Sequence, residues 1–552
     1  MAARCRHVTA FLAVLLTGLA VWSASACTST TVAQIDYAVD GGLSTYNSTT
    51  VDGAASAGPQ AFSRALTGFG YHGPDGQVVA DHDFGSISVA GRAPLVLDYQ
   101  IADEAVYSDG KPVTCDDMVL AWAAQSGRFP GFDAASRAGY LDIEHIDCQS
   151  GAKKARVSFF ADRSIVDYEQ LFTATSMMPS HIIADKLNVN IAQTFLGAAG
   201  PPEDVLGKIS QAWNTIWTLG RDLDKRNFPS SGPYRIDSVL DGGAVVLVAN
   251  DQWWGAKPAT KRITVWPQSA DIADRVEKRI VEVVDVATGS AGSLITPDGY
   301  QSSDSPSAGI EQLIFAPGGP LSETPARRAV ALCTPRDVIA RDAGVPMINS
   351  RLNTAIDDAF DQAEQVPETE QFAHADPDSA RDTLAGKPLT VRIGYRGPNT
   401  RLAAVVGAIT NSCAAAGITV TEVATDQIGP SSLREGAIDV LLACTGGATG
   451  SGSTGSSPMD AYELFGGNGN NLSGYHNEQI DGIISLLAVT ADPTELARLL
   501  GESAPVLWAD MPTLPLYRQQ RTLLASKKTY GVIANPTRWG AGWNMDRWAL
   551  QQ

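Results

Sequence analysis

The sequence predicts an α/β fold, on three observations. A strand, a helix and two further strands follow one another over residues 389–444, and strands joined through a helix lie parallel in one sheet. A tight turn at Asp241-Gly242-Gly243 joins a short strand, Tyr234–Ile236, to an apolar strand, Ala244–Val248. The composition, with 44% hydrophobic and 18% charged residues, is that of a globular chain that buries large cores.

Local signals place the other elements in chain order. Thr114 is expected to cap a helix, with Asp117 in the acidic third position of a capping box. Pro325 opens a later helix, and Gly417 ends the helix of the strand–helix–strand unit. The predicted strands are Ile35–Val39, Pro94–Ile101, Ala155–Phe160, Ile263–Trp266, Leu389–Arg396, Ile418–Val423 and Ile438–Cys444, and the predicted helices are Ala61–Phe69, Cys115–Gln125, Asp167–Phe172, Asp271–Ile280, Thr324–Cys333 and Thr400–Ala416.

The N-terminus carries an export signal. A basic start precedes the apolar run Val8–Trp22, which is too short to span a membrane comfortably, and Ala24–Ala26 offers a small-residue cleavage site. Cys27 follows directly, so we predict a lipoprotein signal over residues 1–26 and lipidation of Cys27, with simple secretion as the alternative. A lipidated N-terminus would anchor an extracytoplasmic protein to the cell membrane.

Charge and motifs exclude several function classes. The net charge of −19 at pH 7 argues against nucleic acid as a partner. The chain has no G-x-S-x-G, H-E-x-x-H or Walker A motif, so we predict that it is not an enzyme and needs no cofactor. A carboxylate pair that meets only in the folded chain stays open on this reasoning.

The cysteines predict a disulfide pattern. After Cys27, which the signal uses, Cys115 and Cys148 lie in one region and are expected to pair in an oxidising compartment. Cys333, Cys413 and Cys444 follow, and we favour a bond between Cys413 and Cys444. No C-x-x-C occurs and the seven histidines are scattered, so no metal site is predicted.

Two stretches carry specific local patterns: Ser230-Ser231-Gly232-Pro233-Tyr234 with the hairpin and Asn250–Pro258 after it, and Tyr107–Met118. They resemble the family 5 extracytoplasmic solute-binding proteins, the oligopeptide- and dipeptide-binding lipoprotein components of ABC importers. Over residues 227–258, Ser230-Ser231-Gly232-Pro233-Tyr234, the hairpin and Asn250–Pro258 are similar to the family's N-P-x-G-T-G-P-Y, hairpin and N-x-x-Y-W-G-x-x-P. Tyr107–Met118 is similar to the family's F-S-D-G-x-P-[VL]-T-A-x-D-V. Further segments match in the same order, over nearly the whole mature chain.

The resemblance implies a periplasmic-binding-protein-like fold of class II, cluster C type. Two lobes and an extra inserted domain would enclose a ligand cleft, with hinge crossings near Trp266 and Met511. The implied division is a signal peptide at 1–26, a discontinuous domain I at 28–72, 180–266 and 512–552, an inserted domain II at 73–179 and a domain III at 267–511.

The resemblance also implies a function. The protein would act as a monomer that captures a peptide or peptide-like solute by hinge closure and delivers it to an ABC permease with its ATPase subunits. Tyr46 and Asn47 follow the first strand, in a loop that lies near the cleft in relatives. Trp253 and Trp254 are expected to line the cleft or the hinge, with core packing as the open alternative.

One segment departs from the family pattern. In peptide-binding relatives, an Asp in W-x-x-D-[YF]-x-D-P meets the ligand's amino end. Here the Gly/Ser run Thr445–Ser457, expected to be a flexible cleft loop, replaces that segment, and Asp460 and Tyr462 are the candidate ligand residues beyond it. The ligand stays open among a peptide, a modified peptide, a sugar conjugate and haem. The departure motivates an alternative, an envelope lipoprotein of this fold with a regulatory or assembly role and no part in transport.

Overall fold

The computed structural model describes residues 33–269, 271–292, 294–352, 363–445 and 457–551. The predicted signal with Cys27, and all but the ends of the Gly/Ser run, lie outside these residues. No helix within the described ranges has the length and apolar character needed to cross a membrane.

The strands alternate with helices along most of the chain. The strands are β1 (Gln34–Val39), β2 (Gly70–His72), β3 (Val78–Ala80), β4 (Gly85–Arg92), β5 (Leu95–Ile101), β6 (Ile143–Asp147), β7 (Lys154–Phe159), β8 (Tyr234–Val239), β9 (Val245–Ala249), β10 (Arg262–Trp266), β11 (Val283–Ala287), β12 (Tyr300–Phe315), β13 (Leu389–Arg396), β14 (Ile418–Thr425), β15 (Val440–Thr445), β16 (Thr513–Ser526), β17 (Thr529–Tyr530) and β18 (Ala549–Leu550).

Most helices are short. The α-helices are Val51–Ala54, Gly58–Phe62, Cys115–Gln125, Ser180–Leu187, Ile191–Leu196, Glu203–Thr215, Ile272–Glu277, Thr324–Cys333, Arg336–Asp342, Pro377–Thr383, Thr400–Cys413, Pro430–Arg434, Glu478–Leu487 and Pro493–Asp510. The 3-10 helices are Tyr168–Gln170, Lys225–Asn227, Asp241–Gly243, Gly319–Leu321, Pro367–Phe372, Ala414–Ala416, Pro458–Leu464 and Gly540–Arg547.

A ten-stranded mixed sheet runs through the molecule, in the order β14-β13-β15-β12-β16-β11-β1-β10-β9-β8. β13 pairs in parallel with β14 and β15, and β1 pairs in parallel with β10 and β11. The helices Thr324–Cys333 and Thr400–Cys413 share a buried apolar cluster with β13 and β15. The prediction of an α/β fold is therefore confirmed.

The two long strands β12 and β16 join the halves of this sheet. We call the half from β11 to β8 the first lobe and the half from β14 to β15 the second lobe. β12 and β16 pair antiparallel along both halves, and their register shifts between Pro306 and Ile310, opposite Gln520 and Arg518. This shift marks the place where the chain passes from one lobe to the other.

This pairing corrects the predicted crossings near Trp266 and Met511. β11 follows Trp266 in the chain, yet it pairs with β1 and with the end of β16, so it belongs to the first lobe. The first half of β16 pairs with the end of β12 beside β15, so it still belongs to the second lobe. Both crossings therefore lie inside long strands, at positions that neither a linker nor a turn marks in the sequence.

A separate four-stranded sheet, β4-β5-β7-β6, lies within the predicted insertion. The helix Cys115–Gln125 begins beside it, and the Asp117 carboxylate accepts a hydrogen bond from the Thr114 backbone N–H at 2.9 Å, as the capping box predicted. The predicted bond between Cys115 and Cys148 is confirmed and ties this helix to the loop after β6.

The predicted bond between Cys413 and Cys444 is wrong. Cys413 is bonded to Cys333, with their Cα atoms 4.9 Å apart, and Cys444 is a buried free thiol. The helix Thr400–Cys413 leaves the carboxyl end of β13 and runs back along the sheet, so Cys413 lies near the amino ends of the strands. Cys444 lies near the carboxyl end of β15, at the opposite edge.

We expect a peptide map under non-reducing conditions to link Cys333 with Cys413 and to leave Cys444 free. Iodoacetamide should alkylate Cys444 only after unfolding, because the thiol is buried and burial raises its pKa well above the usual value. Mass spectrometry of peptides from the native and the unfolded protein measures both the disulfide linkage and the alkylation of Cys444. A linked Cys413–Cys444 peptide, or rapid alkylation of the native thiol, would contradict this pattern.

Candidate functional site

A cavity of about 120 Å³ lies where the first lobe, the inserted region and the second lobe meet, and we call it the cleft cavity. Its walls come from segments far apart in the chain. It is lined by Thr49, His72, Arg538 and Trp539 of the first lobe, by Gln125, Ser136, Ala138, Tyr140, Gln170, Leu171, Thr173, Ala174, Thr175 and Ser176 of the inserted region, and by Met459, Asp460 and Asn470 of the second lobe.

Direct contacts join the second lobe to the first lobe and to the inserted region. The Asp52 carboxylate accepts a hydrogen bond from the Ser431 backbone N–H at 3.1 Å, and a second from the Ser431 hydroxyl. Arg434 forms an ion pair with Asp133 at 2.8 Å, which joins the second lobe to the inserted region. The lobes are therefore in a closed arrangement.

A second set of contacts centres on Arg163 of the inserted region. Its guanidinium pairs with Asp142 at 2.6 Å, donates to the Ser485 carbonyl at 2.8 Å and donates to the Tyr462 hydroxyl at 3.3 Å. Tyr462 is almost fully buried. The structure thus uses this predicted ligand residue to join the inserted region to the second lobe.

Asp460 is the predicted ligand residue that does line the cleft cavity. Its side chain is 9% exposed, and its Oδ2 accepts a hydrogen bond from the Ser457 backbone N–H at 3.1 Å, which fixes the start of the short helix Pro458–Leu464. The carboxylate also attracts the charge of Arg538 across the cavity. Asp460 therefore places a negative charge on the second-lobe wall.

Tyr46 and Asn47 hold the first lobe together instead of lining the cavity. The Tyr46 ring is fully buried, lies edge-on to Phe62 and shares a 2.9 Å hydrogen bond with the Ser230 hydroxyl. The Asn47 amide donates to the Trp213 carbonyl at 3.1 Å, and its oxygen accepts from the Thr49 backbone at 3.1 Å. The polar atoms of both side chains therefore form their hydrogen bonds within the first lobe.

Trp253 and Trp254 follow the core-packing alternative. Trp253 is 2% exposed and its indole donates to the Ala256 carbonyl at 3.0 Å. Trp254 packs on it, with ring centroids 4.4 Å apart, and donates to the Asp83 carbonyl at 2.6 Å. The pair fastens the loop after β9 to the loop before β4, and neither ring lines the cleft cavity.

Most cavity residues escaped the sequence reasoning, among them His72, Arg538 and Trp539. His72 ends β2, while Arg538 and Trp539 lie in the C-terminal segment, so they meet only in the folded chain. The Trp539 and His72 rings stack with centroids 5.2 Å apart. No local motif marks such a meeting, because the two segments lie more than four hundred residues apart in the chain.

The His72 ring is neutral at pH 7. Burial, with a smaller contribution from the charge of Arg538, lowers its pKa to about 4. The ring Nδ1 lies 3.0 Å from the Gly76 carbonyl, which can only accept, so Nδ1 carries the proton. Nε2 is therefore left as an acceptor. Arg538 stays cationic, although burial lowers its pKa to about 10.

We expect the free energy of unfolding to decrease as the pH falls, because His72 is buried as a neutral ring. Its folded pKa lies below the usual unfolded value, so the unfolded chain binds the proton first, and stability is lost from about pH 6.5 down to pH 4. The loss should reach about 3 kcal/mol, and His72→Asn should remove it. Urea unfolding across this range measures it, with the exposed His145→Asn as a control. If the free energy of unfolding falls with pH equally in wild type and in His72→Asn, the loss cannot be assigned to His72.

Comparisons with known proteins identify the family. The model of the bacterial extracellular solute-binding proteins, family 5, matches residues 94–468. An uncharacterized lipoprotein of Mycobacterium tuberculosis is 65% identical over 558 residues and covers 100% of both chains. The oligopeptide-binding protein OppA of the same organism is 30% identical over 196 residues, which span 35% of this chain and 28% of OppA.

A solved structure shows the same architecture. The oligopeptide-binding protein AppA of Bacillus subtilis, solved with a nonapeptide, superposes with a TM-score of 0.71 over 94% of this chain and 100% of its own, at 15% identity. The protein is thus a two-lobed binding protein in fold, and its lipoprotein relatives agree with the predicted extracytoplasmic location at the cell membrane. The chain belongs to the family 5 bacterial extracellular solute-binding proteins.

Proposed function

We propose that the protein captures a small peptide or peptide-like solute in the cleft cavity by hinge closure and delivers it to an ABC permease. The observation that carries this proposal is the cleft cavity itself, whose walls come from both lobes and the inserted region. A ligand held between lobes that touch one another must enter through an open form. Binding then favours the closed form by the difference in affinity between the two.

The strand crossings supply the hinge. β12 and β16 pass between the lobes at Pro306–Ile310 and Arg518–Gln520, where their ladder is interrupted. A change of backbone angles at these positions would rotate one lobe without breaking the sheet pairing inside either lobe. The hinge therefore lies within the sheet and not in a flexible linker.

The size and polarity of the cavity favour a small ligand. Pockets for drug-sized ligands enclose roughly 300–1,000 Å³, and the cleft cavity encloses about 120 Å³. Hydroxyl and amide side chains, including Thr49, Gln125 and Asn470, surround the charged Arg538 and Asp460. These groups suit a short polar solute with groups that hydrogen-bond in several directions.

The partners follow from the family. The permease and its ATPase subunits would receive the solute and supply the energy, since the binding protein supplies only recognition. Lipidation of Cys27 would hold the protein beside them as a monomer. The names of OppA and AppA support a peptide, and the limited reach of the match to OppA leaves the exact ligand to experiment.

A non-transport envelope lipoprotein is the second candidate, and the closed lobes favour it. The contacts of Asp52, Arg163 and Arg434 join the lobes directly, without a ligand between the contacting groups. A protein whose own contacts keep it closed could present a fixed surface to an envelope partner. Such a role would need neither hinge motion nor solute release.

Mass spectrometry of the purified protein, first native and then denatured, tests the proposal. We expect one small polar molecule to be released, and Ala138→Phe, which fills the cavity, to abolish its retention. Ala415→Phe adds the same bulk at an exposed position of the second lobe and should retain the molecule. Small-angle scattering of the emptied protein should then show opening, reversed when the molecule is returned.

Two outcomes would contradict transport. Retention that Ala138→Phe does not change would place the ligand elsewhere. A protein that releases nothing, and whose scattering shows closed lobes in every preparation, would favour the envelope role.

A further inference from the structure

A stretch of the inserted region, residues 133–137, lies between the two lobes, and we call it the bridging segment. Its backbone forms an antiparallel bridge with the stretch between β1 and the first helix. The Val51 N–H donates to the Asp133 carbonyl at 3.0 Å, and the Ala135 N–H donates to the Thr49 carbonyl at 2.8 Å. The first lobe therefore holds this segment as a sheet holds an added strand.

The second lobe holds the other side of the bridging segment. The Asn470 backbone N–H donates to the Ala135 carbonyl at 2.6 Å. The Asn468 side-chain oxygen accepts from the Arg137 backbone N–H at 2.8 Å, and its amide nitrogen donates to the Tyr462 carbonyl at 2.8 Å, which fixes its orientation. Opening the lobes must therefore break one of the two sets of hydrogen bonds.

The second lobe is also shaped to fit the bridging segment. A Cβ atom at Gly469 would lie 1.9 Å from the Ala134 carbonyl oxygen, so only glycine allows the two backbones to approach this closely. The Ala135 side chain is buried in an apolar cluster with Val51 of the first lobe and Leu472 of the second. The segment thus fits both lobes by its backbone and by a side chain.

These contacts have the pattern of a bound peptide. A chain that adds to a sheet is held by main-chain hydrogen bonds, and its alternate side chains enter pockets that select its sequence. The bridging segment has both kinds of contact, and Ser136 and the adjacent Ala138 line the cleft cavity. It therefore occupies space between the lobes that an extended chain would need.

We infer that the bridging segment is an internal pseudo-ligand, an autoinhibitory contact that keeps the lobes closed and excludes an extended peptide from its groove. A peptide enters this groove only by displacing the segment, and it needs a small apolar side chain at the position of Ala135. The inference goes beyond the proposed function, because the segment joins the lobes whether or not a solute is bound.

Two variants separate the segment from the second lobe. Ala135→Glu places a charge in the apolar cluster and leaves the groove itself unchanged. Hydrogen exchange with mass spectrometry should show the amides of residues 49–51 and 468–470 exchanging at least about tenfold faster than in wild type. Gly469→Ala acts from the second lobe and should speed the exchange of residues 468–470.

Each variant has a matched control. Ala90→Glu adds the same charge at an exposed position of β4, and Gly482→Ala adds the same methyl group in a helix where a Cβ meets no described atom within 4 Å. Both controls should exchange like wild type in residues 49–51 and 468–470. Circular dichroism confirms that each variant folds, and Gly469→Ala against Gly482→Ala decides the question if Ala135→Glu does not fold.

A blocked, dye-labelled synthetic peptide with the sequence of residues 132–138 is the probe for the groove. The tethered segment competes with it at a roughly millimolar effective concentration. Fluorescence anisotropy should therefore show binding to Ala135→Glu at least about tenfold tighter than to wild type. The bound peptide should restore slow exchange in residues 468–470, and the same peptide with glutamate in place of Ala135 should bind neither protein.

Three results would overturn the inference. Exchange of residues 468–470 that stays at the wild-type rate in Ala135→Glu and Gly469→Ala would show that the segment does not hold the lobes together. Equal binding of the peptide by wild type and Ala135→Glu would show that the segment does not fill the groove. A peptide that binds Ala135→Glu without slowing this exchange binds elsewhere.

Discussion

The pairing of β12 with β16 is the constraint on which the rest of the structure depends. These two strands carry the sheet from one lobe to the other, and their ladder is interrupted between Pro306 and Ile310 and again between Glu311 and Gln312. Buried ion pairs lie on either side, with Arg521 bonded to Asp285 in the first lobe and Arg401 bonded to Glu311 beside the second. Each pair would be costly to break, so the hinge of the proposed function is expected in the short stretch between them.

The strand–helix–strand unit at 389–444 was predictable because its signals are local. Its apolar strands and the helix stop at Gly417 each depend on a few neighbouring residues, and the structure has them where the sequence predicts them. The same is true of the helix cap at Thr114, earlier in the chain. The shorter helices were harder. The predicted helix Ala61–Phe69 is found at Gly58–Phe62, because the chain turns under the C-terminal segment after Phe62.

The candidate site was the least predictable part, for physical reasons. Tyr46 and Trp253 are aromatic residues near a family motif, and the sequence alone could not tell a ring that meets a ligand from one that meets a neighbouring ring. The disulfide pairing of Cys444 and the positions of the lobe crossings depend on which edge of the sheet a residue reaches. Only the topology determines that edge. Arg538 and His72 lie more than four hundred residues apart, and no short pattern joins them.

The choice between solute transport and an envelope role depends on how much the contacts between the lobes stabilise the closed form without a ligand. The pair between Arg434 and Asp133 is partly exposed, and such pairs contribute about 0–1 kcal/mol each. The two hydrogen bonds at Asp52 add about 1 kcal/mol each. Arg163 adds its hydrogen bonds to the Ser485 carbonyl and the Tyr462 hydroxyl, so the polar contacts together contribute a few kcal/mol to the closed arrangement. In the closed arrangement, Asp460 of the second lobe attracts the charge of Arg538 across the cavity, and this attraction favours closure. Under the proposed function, a ligand that binds the closed form better than the open form would add to this balance, and that difference in affinity would make closure respond to the solute.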